Sequence, residues 1–277
     1  MKLNLLKLKI LFTGALDFSP RLKKVVLDSF WLVSATVRFA HMRGYLPLHI
    51  VTGADITHEK SLLRLLESIQ RFEPLAQTTV WDLGLSREAA ETLADMASVD
   101  LRSFSFIGYP DYFDIRIQAG QYAWKPIIIR ETRSDVKELL VWLDAGCLIL
   151  GKLTWLRKIC KTLGFFSPSS SGNLEKWTHP GTLRHLNFIQ HPGRYNNVNG
   201  AVVAHQTNHT QAAELISEWA ACAMERECIA PNGSSRSNHR QDQAVLSVLA
   251  IQRGFSGKEL FRNLRRPLKI AIHQDVD

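Results

Sequence analysis

Four cysteines in 277 residues are too few to build a disulfide scaffold, and their spacing fits no zinc motif. Cys147 and Cys160 lie in apolar surroundings and are expected as buried thiols. Cys222 and Cys228 could pair if the helix between them ends early. No uninterrupted apolar run reaches eighteen residues, so no membrane-spanning helix is expected. Met1 to Leu11 alternates lysine with leucine and lacks both the continuous apolar segment and the small-residue cleavage site of a signal peptide. Synthesised as it stands, the chain is expected to be cytoplasmic; a fragment missing its anchor would belong to the secretory-pathway lumen. Also missing are a Gly-Lys-Ser/Thr phosphate loop, a Gly-X-Gly-X-X-Gly fingerprint and a Ser-His-Asp order. P-loop ATPase, Rossmann dehydrogenase and serine hydrolase are thereby excluded. There is no internal repeat, and no linker long enough to separate two domains.

What is present is ample apolar material, 45% of the residues, enough to bury a full core. Net charge is +8, which favours anionic partners such as nucleotide diphosphates and permits peripheral contact with acidic membranes. The basic residues are scattered, apart from a run at Arg262 to Lys269. No aromatics interleave on a basic face, so nucleic acid is not an expected partner.

The hydrophobic periodicity predicts strands alternating with helices. Leu48 to Val51 is a buried strand leading into Thr52-Gly53-Ala54-Asp55, followed by a helix from about His58 to Phe72. Further strands are expected at Thr78–Leu83, Leu101–Phe106, Leu139–Leu143, Gly164–Phe166 and Val198–His205. Helices are expected after Ser86, over Tyr122–Thr132 with an early break at Pro126, over Leu153–Leu163, Thr210–Glu225 and Arg240–Arg253. This order predicts an α/β fold, a mostly parallel central sheet with helices on both faces. Residues 1–45 are expected as a helical segment (about Arg21 to Phe39) packed on a single domain spanning 46–277. Ligands of such sheets bind beyond the carboxyl ends of the strands, which should gather the loops Thr52–Asp55, Asp144–Gly146 and Ser167–Gly172 on one side.

The strongest local feature is Val141-Trp142-Leu143-Asp144-Ala145-Gly146. A carboxylate at the tip of a buried strand needs a partner. A metal, a helix terminus or a ligand hydroxyl would serve equally well on spacing alone.

Three other segments narrow the choice: Tyr122-Ala123-Trp124-Lys125-Pro126, Asn197-Val198-Asn199-Gly200-Ala201, and Gln241-Asp242-Gln243. With Leu143-Asp144-Ala145, and in this order, they resemble the GT-A glycosyltransferases, especially the branch containing glycogenin and bacterial lipopolysaccharide galactosyltransferases. A nearer resemblance is to an uncharacterised glycosyltransferase-like family. Its marks are Val80 to Ser86, Tyr122 to Ile129, Trp142 to Gly146, Trp177-Thr178-His179-Pro180 and Cys228 to Gln243. The resemblance implies a GT-A-like fold and transfer of a sugar from a nucleoside diphosphate sugar, with a UDP-sugar the leading donor, to a glycan, lipid or protein. It implies that Thr52, Gly53, Ala54 and Asp55 line the base and ribose pocket, and that Lys125 stands near the phosphates where relatives keep Arg. Asp144, with Ala145 and Gly146, would contact ribose and metal; Asn199 and Gly200 would touch sugar or acceptor; Asp242 and Gln243 would face the reacting sugar.

One departure matters. Gly146 stands where that branch has a second Asp, normally the main ligand for Mn²⁺ or Mg²⁺. Asp144 alone makes a weak site, so weak or absent metal dependence is expected. Leaving-group charge could instead be met by Lys125, Arg236, His239 or Arg240. Trp177 and His179 are acceptor-side candidates. His273 near the end is given no metal role. Gly146 also motivates the alternative of a non-catalytic relative that binds a nucleotide or glycan without turnover.

Overall fold

The computed structural model describes residues 47–136, 139–255 and 268–277. The helix expected within residues 1–45 lies outside them, as does most of the 262–269 cationic run.

Leu48–Ala54 forms β1, buried along its whole length. After a short 3-10 turn, α1 (Glu59–Phe72) places Leu62, Leu65, Leu66 and Ile69 on its buried face, the 3–4 residue spacing that one side of a helix requires. β2 (Gln77–Asp82) follows. Ser86 then caps α2 (Arg87–Ala94), its hydroxyl accepting from the Ala89 amide at 3.2 Å. β3 (Val99–Ser103) precedes α3 (Trp124–Arg133), and β4 (Leu139–Leu143) is buried throughout. Next come β5 (Leu148–Ile149), α4 (Thr154–Leu163), β6 (Phe165–Phe166), β7 (Ser169–Asn173), α5 (Leu174–Trp177) and α6 (Pro180–His185). The remainder is β8 (Asn196–Val198), β9 (Val202–Gln206), α7 (Thr210–Ala223), α8 (Arg226–Ile229), α9 (Gln241–Gln252) and β10 (Ile270–Ala271).

The main sheet has six strands in the order β3-β2-β1-β4-β9-β6. β1, β2, β3 and β4 run parallel, whereas β9 is antiparallel to both β4 and β6. Side chains alternate across it, as a pleated strand dictates. Val51, Leu140, Trp142 and Val203 join a core with Ile127, Ile128, Leu215 and Trp219 of α3 and α7. On the other side, α1 packs on β1 and α4 on β6 and β9.

Several expectations change in detail. Pro126 does not interrupt a helix; it sits in the first turn of α3, where its missing amide proton has no intrahelical acceptor to reach. The strand expected over Val198–His205 is two strands, split by the turn at Asn199–Ala201, because Asn199 Oδ1 accepts from the Ala201 amide at 2.8 Å and folds the backbone back. The expected loop Ser167–Gly172 is partly strand β7, paired with β8. Cys222 and Cys228 form a disulfide across the end of α7 and the start of α8, the geometry an early helix end permits. A loop this short gives about 2 kcal/mol of stabilisation by restricting the unfolded chain. Cys147 and Cys160 are free and buried, as expected.

Candidate active site

β1 and β4 are neighbours in register, so the residues following them, Asp55 and Asp144, emerge at the same edge of the sheet. A cavity of about 320 Å³ opens there. Of the residues singled out from sequence, it brings together Gly53, Ala54, Asp55, Lys125, Asp144, Ala145, Gly146, Asn199, Gly200, Arg236, Arg240, Asp242 and Gln243. These come from five separate stretches of chain, 53–55, 125, 144–146, 199–200 and 236–243, which only the tertiary fold could join.

Lys125 is the centre of the arrangement. It projects from the first turn of α3, almost fully buried, with Nζ 2.9 Å from Asp144 Oδ1 and 3.4 Å from Asp242 Oδ2. The Gly200 carbonyl accepts from it at 3.4 Å, and the rings of Tyr122 and Trp142 lie 5.2 and 5.6 Å from the ammonium. Burial alone would lower its pKa, but Asp144 and then Asp242 outweigh burial and raise it, so Lys125 is charged throughout the physiological range. Asp144 is held from a second direction by Trp142, whose Nε1–H donates to Oδ1 at 2.6 Å. Residues 142 and 144 are two apart, the spacing that puts both on one side of a strand.

Asp242 is different. Burial pushes its carboxyl up to about 6, and Lys125, lying closer to Asp144 than to Asp242, offsets only part of that. Its Oδ2 accepts no hydrogen bond among the described residues. Gly200 gives this carboxylate its room. A β-carbon there would come within 3.2 Å of Asp242 Oδ2.

Not every expected residue reaches the cavity. Thr52 is fully buried inside β1 and does not line it. His239 is fully buried too: its Nδ1 accepts from the His179 amide at 3.2 Å, its Nε2 donates to the Ile229 carbonyl at 2.8 Å, and burial lowers its pKa to about 4. A neutral strut of this kind cannot meet phosphate charge. His179 caps α6 by accepting from the Gly181 amide. Trp177 lies under the Arg240 guanidinium, 4.1 Å from its ring centre, and so positions a cavity residue without lining the cavity. Arg236 is similarly laid against Tyr122 at 5.8 Å. Asp55 hydrogen-bonds its own turn, through Thr57 and His58; burial raises its pKa, but these hydrogen bonds prevail and lower it.

Sequence reasoning missed His58 and Asp275 among the lining residues; it named Tyr122 and Gln241 only within their segments and gave His273 no metal role. It also missed the backbone beside them. Residues 118–122 all have positive φ, from 51° at Gln118 to 60° at Gly120, and so does Gln241 at 44°. These strained segments are joined by a hydrogen bond from Gln241 Nε2 to Gln121 Oε1 at 3.2 Å. Left-handed backbone in non-glycine residues costs about 1–2 kcal/mol each and persists only where neighbours enforce it, commonly at functional sites. Gly120 has a second constraint, since a β-carbon there would overlap the Phe113 carbonyl. Gly120→Ala is therefore expected to lower stability by about 3 kcal/mol in urea unfolding. A midpoint equal to the parent's would show that the turn is not so confined.

Asp275 occupies a position of particular interest. A β-carbon added to Gly146 would fall on its carboxylate. Even so, no three His, Cys, Asp or Glu side chains among the described residues gather closely enough to enclose a metal ion unaided.

The fold, a mixed α/β layer with a mostly parallel sheet flanked by helices, is that of solved structures of the GT-A class of glycosyltransferases. A solved structure of the galactosyltransferase LgtC, in complex with donor and acceptor sugar analogues, superimposes with a TM-score of 0.53 at 17% identity, covering 81% of this chain and 86% of that one. An active-site mutant of LgtC gives 0.48 at 17% identity, covering 76% and 70%. The glycosyltransferase GlyE of Streptococcus pneumoniae TIGR4 gives 0.42 at 11%, covering 79% and 45%. Residues 42–130 match a family described as a protein of unknown function, DUF1647, a stretch that includes the Gly53–Asp55 loop and Lys125. No curated protein matches the sequence. No helix among the described residues is long and apolar enough to cross a membrane.

Proposed function

We propose that the protein is a glycosyltransferase that transfers a sugar from a nucleoside diphosphate sugar, with a UDP-sugar first among candidates, to a hydroxyl of a glycan, lipid or protein. The observation that carries this reading is the buried Lys125 held between Asp144 and Asp242 at the carboxyl ends of β1 and β4. A cation fixed there needs no reorganisation to oppose the charge of a departing diphosphate, and a water-poor setting strengthens that effect. Arg236 and Arg240, each laid against an aromatic ring, add positive charge on the α9 side of the cavity.

The nucleoside would lie along Gly53–Asp55. An adjoining, largely apolar cavity of about 1040 Å³ shares Asp55, His58, Leu83, Ile115 and Ala119 with the first, and Phe106, Tyr109 and Phe113 also line it. The two volumes suit a ligand with a charged middle and a flat base at one end. Asp242, next to Gly200 and Gln243, would face the sugar, ionised above about pH 6 and able to accept a proton or steady developing positive charge. LgtC, whose structure holds donor and acceptor sugar analogues, supports a sugar-nucleotide partner for this fold.

Thermal-shift measurements against UDP-, GDP- and CMP-sugars test the reading. A ligand at 100 times its Kd adds about 2.7 kcal/mol to stability, which in a domain of this size raises Tm by roughly 5–10 °C. Stabilisation by one nucleotide class is expected, with slow hydrolysis of that donor over hours. No shift with any class would sink the proposal. Binding without turnover would favour a nucleotide-binding relative that has lost catalysis.

A further inference from the structure

Gly146 and Asp275 are complementary. The three nearest heavy atoms to a β-carbon at Gly146 are all in the Asp275 carboxyl group. Residue 146 lies outside the positive-φ positions, so its backbone does not require glycine; what requires glycine is the carboxylate packed against it. The segment carrying Asp275 is fastened on both sides. Before it, Ile270 and Ala271 pair with Ile149 and Leu148, and the Gln274 amide donates to the Gly146 carbonyl at 2.7 Å. After it, the Val276 amide donates to Ser61 Oγ at 3.0 Å, and Asp277 accepts from the Lys60 amide at 3.0 Å and from the Ser61 hydroxyl. Asp275 is therefore placed by named bonds on each flank, while its own side chain forms no ion pair among the described residues and opens on the cavity.

The charges in that cavity are unevenly met. Lys125 contacts Asp144 and Asp242, and both Lys125 and Trp142 reach Asp144 through Oδ1. The buried Asp242 Oδ2 accepts no hydrogen bond among the described residues. Asp144 and Asp275 line the same cavity, Asp275 with its carboxylate against Gly146, and both are hard oxygen donors of the kind Mn²⁺ and Mg²⁺ prefer. Such ions are commonly held by one or two carboxylates, with phosphate oxygens and water filling the remaining positions.

We infer that Asp275 supplies the second carboxylate of a divalent-cation site with Asp144, in the space that Gly146 leaves open. A cation there would neutralise charge on the donor diphosphate, so the role rests on the function proposed above. The weak metal dependence expected from Gly146 alone then gives way to a site completed from a distant segment of the chain.

Electron paramagnetic resonance of Mn²⁺, titrated without nucleotide into the full chain, tests the assignment directly. The parent is expected to bind Mn²⁺ and Asp275→Asn to bind it at least tenfold more weakly. The double variant Gly146→Asp/Asp275→Ala, which moves the carboxylate to the other side of the same gap, should regain affinity to within about threefold of the parent. Equal binding by Asp275→Asn and parent, or no binding by the parent at millimolar protein, would overturn the inference. So would a double variant that melts like the parent yet stays as weak as Asp275→Asn. UDP titrated calorimetrically in EDTA keeps the two ideas apart. Binding there supports the proposed function whatever Mn²⁺ does, and absence of UDP binding both there and in saturating Mn²⁺, with Mn²⁺ binding itself intact, would count against the donor and leave the carboxylate pair standing.

Discussion

Lys125→Met is expected to lower the stability of the protein by about 3–5 kcal/mol and to abolish nucleotide binding. Methionine matches the length of the lysine stem, so the packing against Tyr122 and Trp142 survives and the loss isolates the charge. Removing one member of a buried ion pair is far more costly than replacing the whole pair, because the partner left behind has neither water nor counter-charge. Asp242 would be that partner: its side chain is 5% exposed, whereas that of Asp144 is 36% exposed and retains solvent. Urea unfolding at pH 7.5 measures the loss. Adding Asp242→Asn to Lys125→Met should recover part of it, since the stranded charge is then gone. If the double variant is as unstable as the sum of the two single changes, the coupling between Lys125 and Asp242 is not what holds this site.

Asp242→Asn alone is expected to reduce turnover by about 10²-fold or more while leaving stability unchanged or raised. The folded-state pKa of this carboxyl is raised to about 6, above its value in the unfolded chain. Folding therefore favours its protonated form. Whatever stability it contributes is present below about pH 4 and is lost as pH rises toward 6. At pH 7.5 the protein holds an ionised group that folding disfavours, and asparagine removes that cost while Lys125 keeps Asp144 at 2.9 Å. Activity has the opposite slope. It should climb through an apparent pKa near 6 as Asp242 ionises, and that acid limb should vanish in the residual activity of Asp242→Asn. A variant that is inactive and also strongly destabilised would point to a structural carboxylate. An acid limb that persists would assign it to another group.

The strands and helices around this site were legible because each has a pattern with one physical cause. Leu139–Leu143 is apolar without interruption because both its faces are covered, and the structure returns the same five residues as β4. The 3–4 spacing of Leu62, Leu65, Leu66 and Ile69 could be satisfied only by a helix with one buried side. Other features had no such signal. β5 and β10 are two-residue strands whose pairing joins Leu148 to Ala271, and short runs carry no period to read. The direction of β9 was equally hidden, since side chains alternate in the same way in parallel and antiparallel strands.

The loop Asp144-Ala145-Gly146 shows where the division falls. Its sequence determined that a carboxylate would stand at the end of a buried strand, and that position 146 would carry no carboxylate of its own. Local residues also determined the grip of Trp142 on Asp144, because two residues along a strand return to the same face. Only the tertiary structure decided what meets them. Lys125 arrives from α3, Asp242 from α9, and the Asp275 carboxylate, 129 positions along the chain from Gly146, enters the space a side chain would have filled. Contacts at that separation depend on how the sheet orders its strands and where the last segment is tied down. No periodicity or spacing near residue 146 could have encoded them.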